Sequence, residues 1–208
     1  MSSLRNSRGS DDSLLDAARH CILAVGWKRT TLTEVARRAG VSRMTLYRRW
    51  PDMQTLLADL MVREWAGVVA DAAVTGDASP LERLARGGTR TVQALRENEL
   101  FRKIVSVDPE LLLPYLLDRR GRTQDSILSV LEATIAEGQQ AGSVRAGDPT
   151  LLARSILLAS YGFALSAETM TTPSAGASTT AEPDDPAAPS MDQLDAELHA
   201  LIERYLTA

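Results

Sequence analysis

A single cysteine, Cys21, is all the thiol chemistry this 208-residue chain carries. That excludes an intrachain disulfide and fits a reducing compartment. Cys21 borders the apolar stripe of the first predicted helix, so it reads as a buried, inert thiol with no second cysteine to resolve an oxidised form. Two histidines, His20 and His199, are too few for a metal site. No phosphate-cradling glycine loop, nucleophile motif or metal-ligand cluster is recognisable, so neither an enzyme nor a cofactor is expected. No apolar run reaches membrane-spanning length, and MSSLRNSRGS lacks the apolar core of a signal peptide. The expectation is a soluble, cytoplasmic protein without a membrane partner. Nowhere do apolar and polar residues alternate as in a half-buried strand, so the expected fold class is all-α.

The chain is also short of positive charge overall, at net −4, but the deficit is uneven. Residues 1–55 hold ten Lys/Arg against five Asp/Glu, a net of +5, whereas residues 56–208 carry −9. The basic excess gathers in one N-terminal block, as phosphate binding requires. Inside that block lies TTLTEVARRAGVSRMTLYRRW, residues 30–50. Thr31 and Glu34 form a capping-box pattern that opens a short helix, and Gly40 closes it where a positive φ is needed. Ser42 caps the next helix. Leu32, Val35, Ala36, Ala39, Val41, Leu46 and Trp50 make an inward apolar set, in which the small alanines let two helices cross closely. Arg43, Met44, Thr45, Arg48 and Arg49 project outward, with Tyr47 beside them. Arg reads guanine edges bidentately, Thr and Met contact a thymine methyl, and hydroxyls hold phosphates. The pattern is that of a helix-turn-helix whose second helix enters double-stranded DNA.

Around this motif the punctuation is helical throughout. Asp11 or Asp12 caps a first helix ended by Gly26, which leaves residues 1–10 as a flexible arm. On that arm Arg5 and Arg8 either touch DNA or belong to a solvated tail. The DNA-binding domain is expected over 11–55 and a second helical domain over 56–208. Further helices are predicted from Asp52 to about Asp71 and near 80–97, 99–106, 110–117, 120–140, 149–169 and 191–206. Residues 171–190 contain four prolines and no large apolar side chain, so they read as a flexible loop.

The motif resembles the DNA-binding domain of the tetracycline-repressor (TetR) family over about residues 12–60. The resemblance is carried by Thr30-Thr31, Glu34-Val35-Ala36, Ala39-Gly40-Val41-Ser42 and Thr45-Leu46-Tyr47, with Trp50 three residues on. It implies a homodimer on a near-palindromic operator, most simply a repressor released by a small-molecule effector. The alternative is a ligand-independent activator or architectural protein. Carried over, Thr31, Ser42 and Tyr47 contact phosphates, while Arg43, Met44, Thr45 and Arg48 face the groove. Two positions depart from the family pattern. Met44 stands where the family often has Gly, and Met53 where it usually has a phosphate-binding Lys. Arg49, where an aromatic is common, is the expected substitute for that charge.

For an effector pocket the second domain offers few rings, and Trp65, Phe101, Tyr115 and Tyr161 are the candidates. Gly88, paired with Gly87 inside a helical pattern, makes room for either a ligand or a close neighbour. Thr89 and Gln93 supply polar contacts nearby. The 149–169 helix is apolar nearly all round from Ile156 to Leu165, so it needs cover on both sides. Its small strip Ala159, Gly162 and Ser166, with Leu198, Leu201, Ile202 and Tyr205 of the last helix, is the expected four-helix dimer interface. Burial within one chain is the alternative.

Overall fold

A computed structural model describes residues 3–74, 76–171 and 188–208, and every regular element among them is helical. Ten α-helices follow in order: α1 (Ser3–Val25), α2 (Leu32–Arg38), α3 (Arg43–Arg49), α4 (Met53–Ala72), α5 (Pro80–Glu97), α6 (Glu99–Val107), α7 (Arg122–Gln140), α8 (Pro149–Leu165), α9 (Ala167–Thr171) and α10 (Met191–Leu206). The expected starts are made by the expected caps. Asp52 accepts the Thr55 N–H at 2.7 Å, Ser79 the Glu82 N–H at 3.2 Å, and Asp148 the Thr150 N–H at 3.0 Å. Proline at the first position of α5 and α8 forfeits no helical hydrogen bond.

Three boundaries differ from the sequence reading. Helix α1 begins at Ser3, so the expected N-terminal arm is helical and Asp11 and Asp12 sit inside the helix. No proline interrupts residues 3–10, and Asp11 has another task, described below. The helix expected at 110–117 is instead a 3₁₀ turn (Pro109–Leu111) and a π-helical turn (Pro114–Asp118), because Pro109 and Pro114 withdraw two backbone donors. The 149–169 helix breaks at Ser166 into α8 and α9. Of the proline-rich loop, residues 172–187 lie outside the described residues.

The chain forms two compact units. The first comprises Met1–Gly67 and Glu97–Asp125, the second Val68–Arg96 and Ser126–Ala208. In the first, Leu14, Ala18 and Ile22 of α1, Leu32, Val35 and Ala36 of α2, Leu46 and Trp50, Leu56 and Leu60 of α4, and Leu100 and Ile104 of α6 share one apolar core. Arg19 of α1 ties this unit further by pairing with Glu64 of α4 at 3.2 Å and Glu99 of α6 at 3.1 Å. The second core is built from Leu84 and Val92 of α5, Leu128 and Ile135 of α7, Val144 in the turn after α7, Leu152 and Ile156 of α8, and Leu198, Ile202 and Leu206 of α10.

The first unit therefore recruits residues 97–125 from the middle of the chain, and one contact shows how. Asp108, only 2% exposed, accepts the backbone N–H of Trp27 at 2.7 Å, just ahead of α2. Gly26 makes the approach possible. Its φ is +87°, and a Cβ there would meet the Asp108 Oδ2 at 3.0 Å and the Val107 Cγ1 at 3.1 Å. Gly26→Ala combines backbone strain with a displaced carboxylate. It should lower stability by about 1–3 kcal/mol, the usual cost of one residue held in a disfavoured conformation. Urea denaturation of the two proteins measures this, and an unchanged midpoint would show that the turn relaxes freely.

Candidate DNA-binding interface

The helix-turn-helix is built by short-range bonds. Thr31 caps α2 by accepting the Glu34 N–H at 3.2 Å. Ser42 caps α3 through the Thr45 N–H at 3.1 Å, and the Ser42 and Thr45 hydroxyls lie 2.9 Å apart. Between the helices Gly40 sits at φ +70° with nothing near its missing Cβ, so conformation and not space demands glycine there. The Val41 N–H reaches back to the Ala36 carbonyl at 3.0 Å and closes the turn.

These bonds sort the side chains as the spacing predicts. Leu32, Val35, Ala36, Leu46 and Trp50 are buried, with Ala39 and Val41 packed against the same core. On the opposite face of α3, Arg43 and Arg48 are exposed, Met44 is 77% exposed and Tyr47 46%. Thr45 is half-buried beside Ser42, and Thr31 and Ser42 are exposed at the two helix starts. Among the described residues no carboxylate is paired with Arg43 or Arg48, so their charge is free for an incoming polyanion.

Arg49 is different, because it also has a partner within the chain. Its Nε donates to Asp11 of α1 at 3.0 Å, and its guanidinium lies 5.3 Å from the Trp50 ring centroid. The pair joins α3 to α1 while leaving the Arg49 side chain 52% exposed. Asp11, expected as a helix cap, is the other half of that pair.

Two carboxylates that brace the motif escaped the sequence reading. Asp108 holds the turn before α2, and Asp59 of α4 accepts the Trp50 indole N–H at 2.8 Å after α3. Local spacing carries no signal for Asp108, whose partner is 81 residues away. Asp59 stands among the buried leucines 56, 57 and 60, and a carboxylate in that company needs a partner.

The residues expected to line an effector pocket fall in both units. Trp65 and Phe101 belong to the first and make an edge-to-face pair with centroids 5.7 Å apart. Tyr115, in the same unit, lies under the Arg119 guanidinium at 5.6 Å. In the second unit the expected polar contacts are committed within the chain. The Thr89 hydroxyl donates to the Ala85 carbonyl at 2.9 Å, and Gln93 donates to the buried Asp195 at 2.9 Å. Arg96 completes that network by pairing with Asp195 and donating to the Phe163 carbonyl. Gly88 admits a close neighbour, because a Cβ there would lie 3.0 Å from Ile202 Cδ1. Tyr161 is half-buried on α8. A separate cleft of about 320 Å³ between α5 and α10 is lined by Glu82, Arg86, His199 and Glu203 but by none of the expected pocket residues.

The expected dimer surface also divides. Leu198 and Ile202 are fully buried in the chain's own second core, which corrects their assignment to a partner. An amphipathic stripe on α10 has the same spacing whichever chain covers it. Gly162, Ser166 and Leu201 are exposed, and Ala159 and Tyr205 are half-buried.

A short, outward, cationic helix set by a glycine turn on a helical scaffold defines a DNA-binding regulator of the helix-turn-helix class. Residues 14–60 match the family model described as bacterial regulatory proteins, tetR family. An uncharacterized HTH-type transcriptional regulator of Mycobacterium tuberculosis strain H37Rv is 36% identical over 159 residues, covering 76% of this chain and 82% of the relative. The chain belongs to the TetR family of transcriptional regulators, whose members are not enzymes. Solved structures share the fold. A SmeT–triclosan complex superposes with a TM-score of 0.60 at 20% identity, covering 96% of this chain and 92% of that one. A transcriptional regulator from Saccharomonospora viridis in complex with choline gives 0.63 at 19% identity, covering 97% and 99%. No helix among the described residues is long and apolar enough to cross a membrane.

Proposed function

We propose that the chain is a homodimeric repressor that holds a near-palindromic operator and releases it when a small molecule binds outside the DNA-binding motif. The observation that carries the reading is the exposed face of α3, unpaired among the described residues, with Arg43, Met44 and Arg48 on a helix packed from behind by Leu46 and Trp50. Thr31, Ser42, Thr45 and Tyr47 flank it, as phosphate ligands and groove contacts should. One such helix reads a single half-site, so specificity requires a second copy. The exposed side of α8 offers the surface: Leu151 is 61% exposed, Leu158 68%, and the space over Gly162 is open. With Ala159, Ser166, Leu201 and Tyr205 this face meets its symmetry mate. Residues 56–208 then carry dimerisation and effector binding, and residues 11–55 carry DNA recognition. The triclosan and choline complexes of structural neighbours support a small-molecule effector, with Trp65, Phe101 and Tyr115 of the first unit as its ring contacts. Release requires only that the effector prefer the DNA-incompetent state, typically by about 1–3 kcal/mol.

Selection of bound duplexes from a randomised pool tests the reading, with an inverted repeat as the expected product. Arg43→Ala and Arg48→Ala should each relax preference at particular base positions, by about 1–3 kcal/mol for a bidentate contact. Arg49→Ala should change the salt dependence by less than the roughly one counterion that a direct phosphate contact releases. Specificity unchanged in both groove variants would remove α3 from the recognition role. A chain whose DNA affinity no small molecule alters would favour the ligand-independent alternative.

A further inference from the structure

The C-terminal end of α3 is held by an arrangement that DNA binding alone does not explain. Trp50 ends the helix, with its backbone N–H on the Leu46 carbonyl at 2.8 Å and its side chain only 1% exposed. An apolar ring would plug that space equally well. The indole adds a donor, and the donor is used: Nε1–H reaches Asp59 Oδ2 at 2.8 Å. The other oxygen of Asp59 accepts a hydrogen bond from the guanidinium of Arg122, the first residue of α7. Burial pushes the Asp59 carboxyl up, but hydrogen bonds from Arg122 and Trp50 and the charges of Arg122 and Arg49 outweigh it, leaving it below the ordinary carboxylate range.

The two ends of this chain of contacts differ in kind. Trp50 is buried and rigid, whereas the Arg122 side chain is 63% exposed. An ion pair at such a site is worth little by itself and is made and broken at small cost. Arg122 also follows an irregular stretch. After the π-helical turn, Gly121 folds onto the Tyr115 ring, where a Cβ would lie 3.1 Å from ring carbons. Gln124 fastens the turn by accepting the Gly121 N–H at 2.5 Å and donating to the Tyr115 carbonyl at 3.0 Å. From Arg122 the helix runs on without a break to Leu128 and Ile135, which are buried in the second core. A shift in the first turn of α7 therefore changes how Asp59 is held, and Asp59 holds the residue next to Arg48 and Arg49.

We propose that Asp59 is a positioning residue for the recognition helix and that Arg122 sets its position, so that α7 controls the seating of α3 through Arg122, Asp59 and the Trp50 indole. The proposal rests on the DNA-binding reading above and deepens it by naming the route of regulation.

Arg122→Gln is the informative variant, because its exposed side chain can be changed without disturbing the core. The probe is a duplex selected from a randomised pool by the unaltered full-length chain. Arg122→Gln should weaken its binding about five- to tenfold, the low end of usual coupling between sites. In a Trp50→Phe background, which keeps the apolar plug and removes the donor, the same substitution should have no further effect. The indole N–H resonance that disappears in Trp50→Phe should shift in Arg122→Gln without DNA present. An equal loss from Arg122→Gln in both backgrounds, or an unmoved indole resonance, overturns the proposal. A chain that selects no duplex overturns the DNA-binding reading and this proposal together. A chain that selects one and binds it equally well as Arg122→Gln overturns only the proposal.

Discussion

Gly162→Leu should leave each chain folded, separate the proposed dimer and abolish high-affinity binding to a selected duplex. The fold is spared because a Cβ at Gly162 meets nothing within 4 Å, so the new side chain projects into open space. The dimer is not spared if α8 packs on its symmetry mate. A leucine on a small-residue strip holds the two helices apart, at about 1–3 kcal/mol for an overpacked contact. A two-fold interface meets that cost twice. No DNA-facing residue changes, yet each head then binds as a lone half-site reader. Sedimentation and titration with a selected duplex on one sample decide the matter. A dimeric variant with unaltered affinity would place the interface on another surface.

Leu198→Ala should do the reverse. Leu198 is fully buried among α5, α8 and α10 of its own chain, so truncation leaves a cavity in the second core. The loss should be about 2–5 kcal/mol of folding stability, as for other buried leucines. The effect should be present at every protein concentration, because it acts within the monomer, whereas Gly162→Leu should act only where association is measured. Chemical denaturation over a range of dilutions separates the two. A Leu198→Ala protein of normal stability that falls apart into monomers would restore this residue to the interface.

The two substitutions also mark where the sequence stops being informative. The apolar stripe on α10 looks alike from outside: Leu194, Leu198, Leu201, Ile202 and Tyr205 recur at three- and four-residue helical spacing whether a neighbouring helix or a second chain covers them. In the folded chain Leu198 and Ile202 go inward, and Leu201 stays 43% exposed. Gly88 was ambiguous for the same reason, since a missing Cβ signals closeness without naming what comes close. Ile202 of α10 is what comes close.

By itself the sequence determined everything whose physics is local. A cap and its N–H lie three residues apart, a glycine turn needs one backbone conformation, and a buried face repeats along a single helix. The ends of α2, α3, α4, α5 and α10, the start of α8, the inward set Leu32 to Trp50 and the outward Arg43, Met44, Tyr47 and Arg48 could therefore be read directly. Only the tertiary structure decided which distant donors and acceptors meet. Arg49 goes to Asp11 across 38 residues, Trp27 to Asp108 across 81 and Arg122 to Asp59 across 63. No spacing rule links such pairs: the Asp108 and Arg122 contacts depend on how residues 97–125 return to the N-terminal unit, and Arg49–Asp11 on how α3 packs beside α1. That return is set by burial of Leu100 and Ile104 in the first core, a many-body outcome to which each residue contributes only its apolar surface.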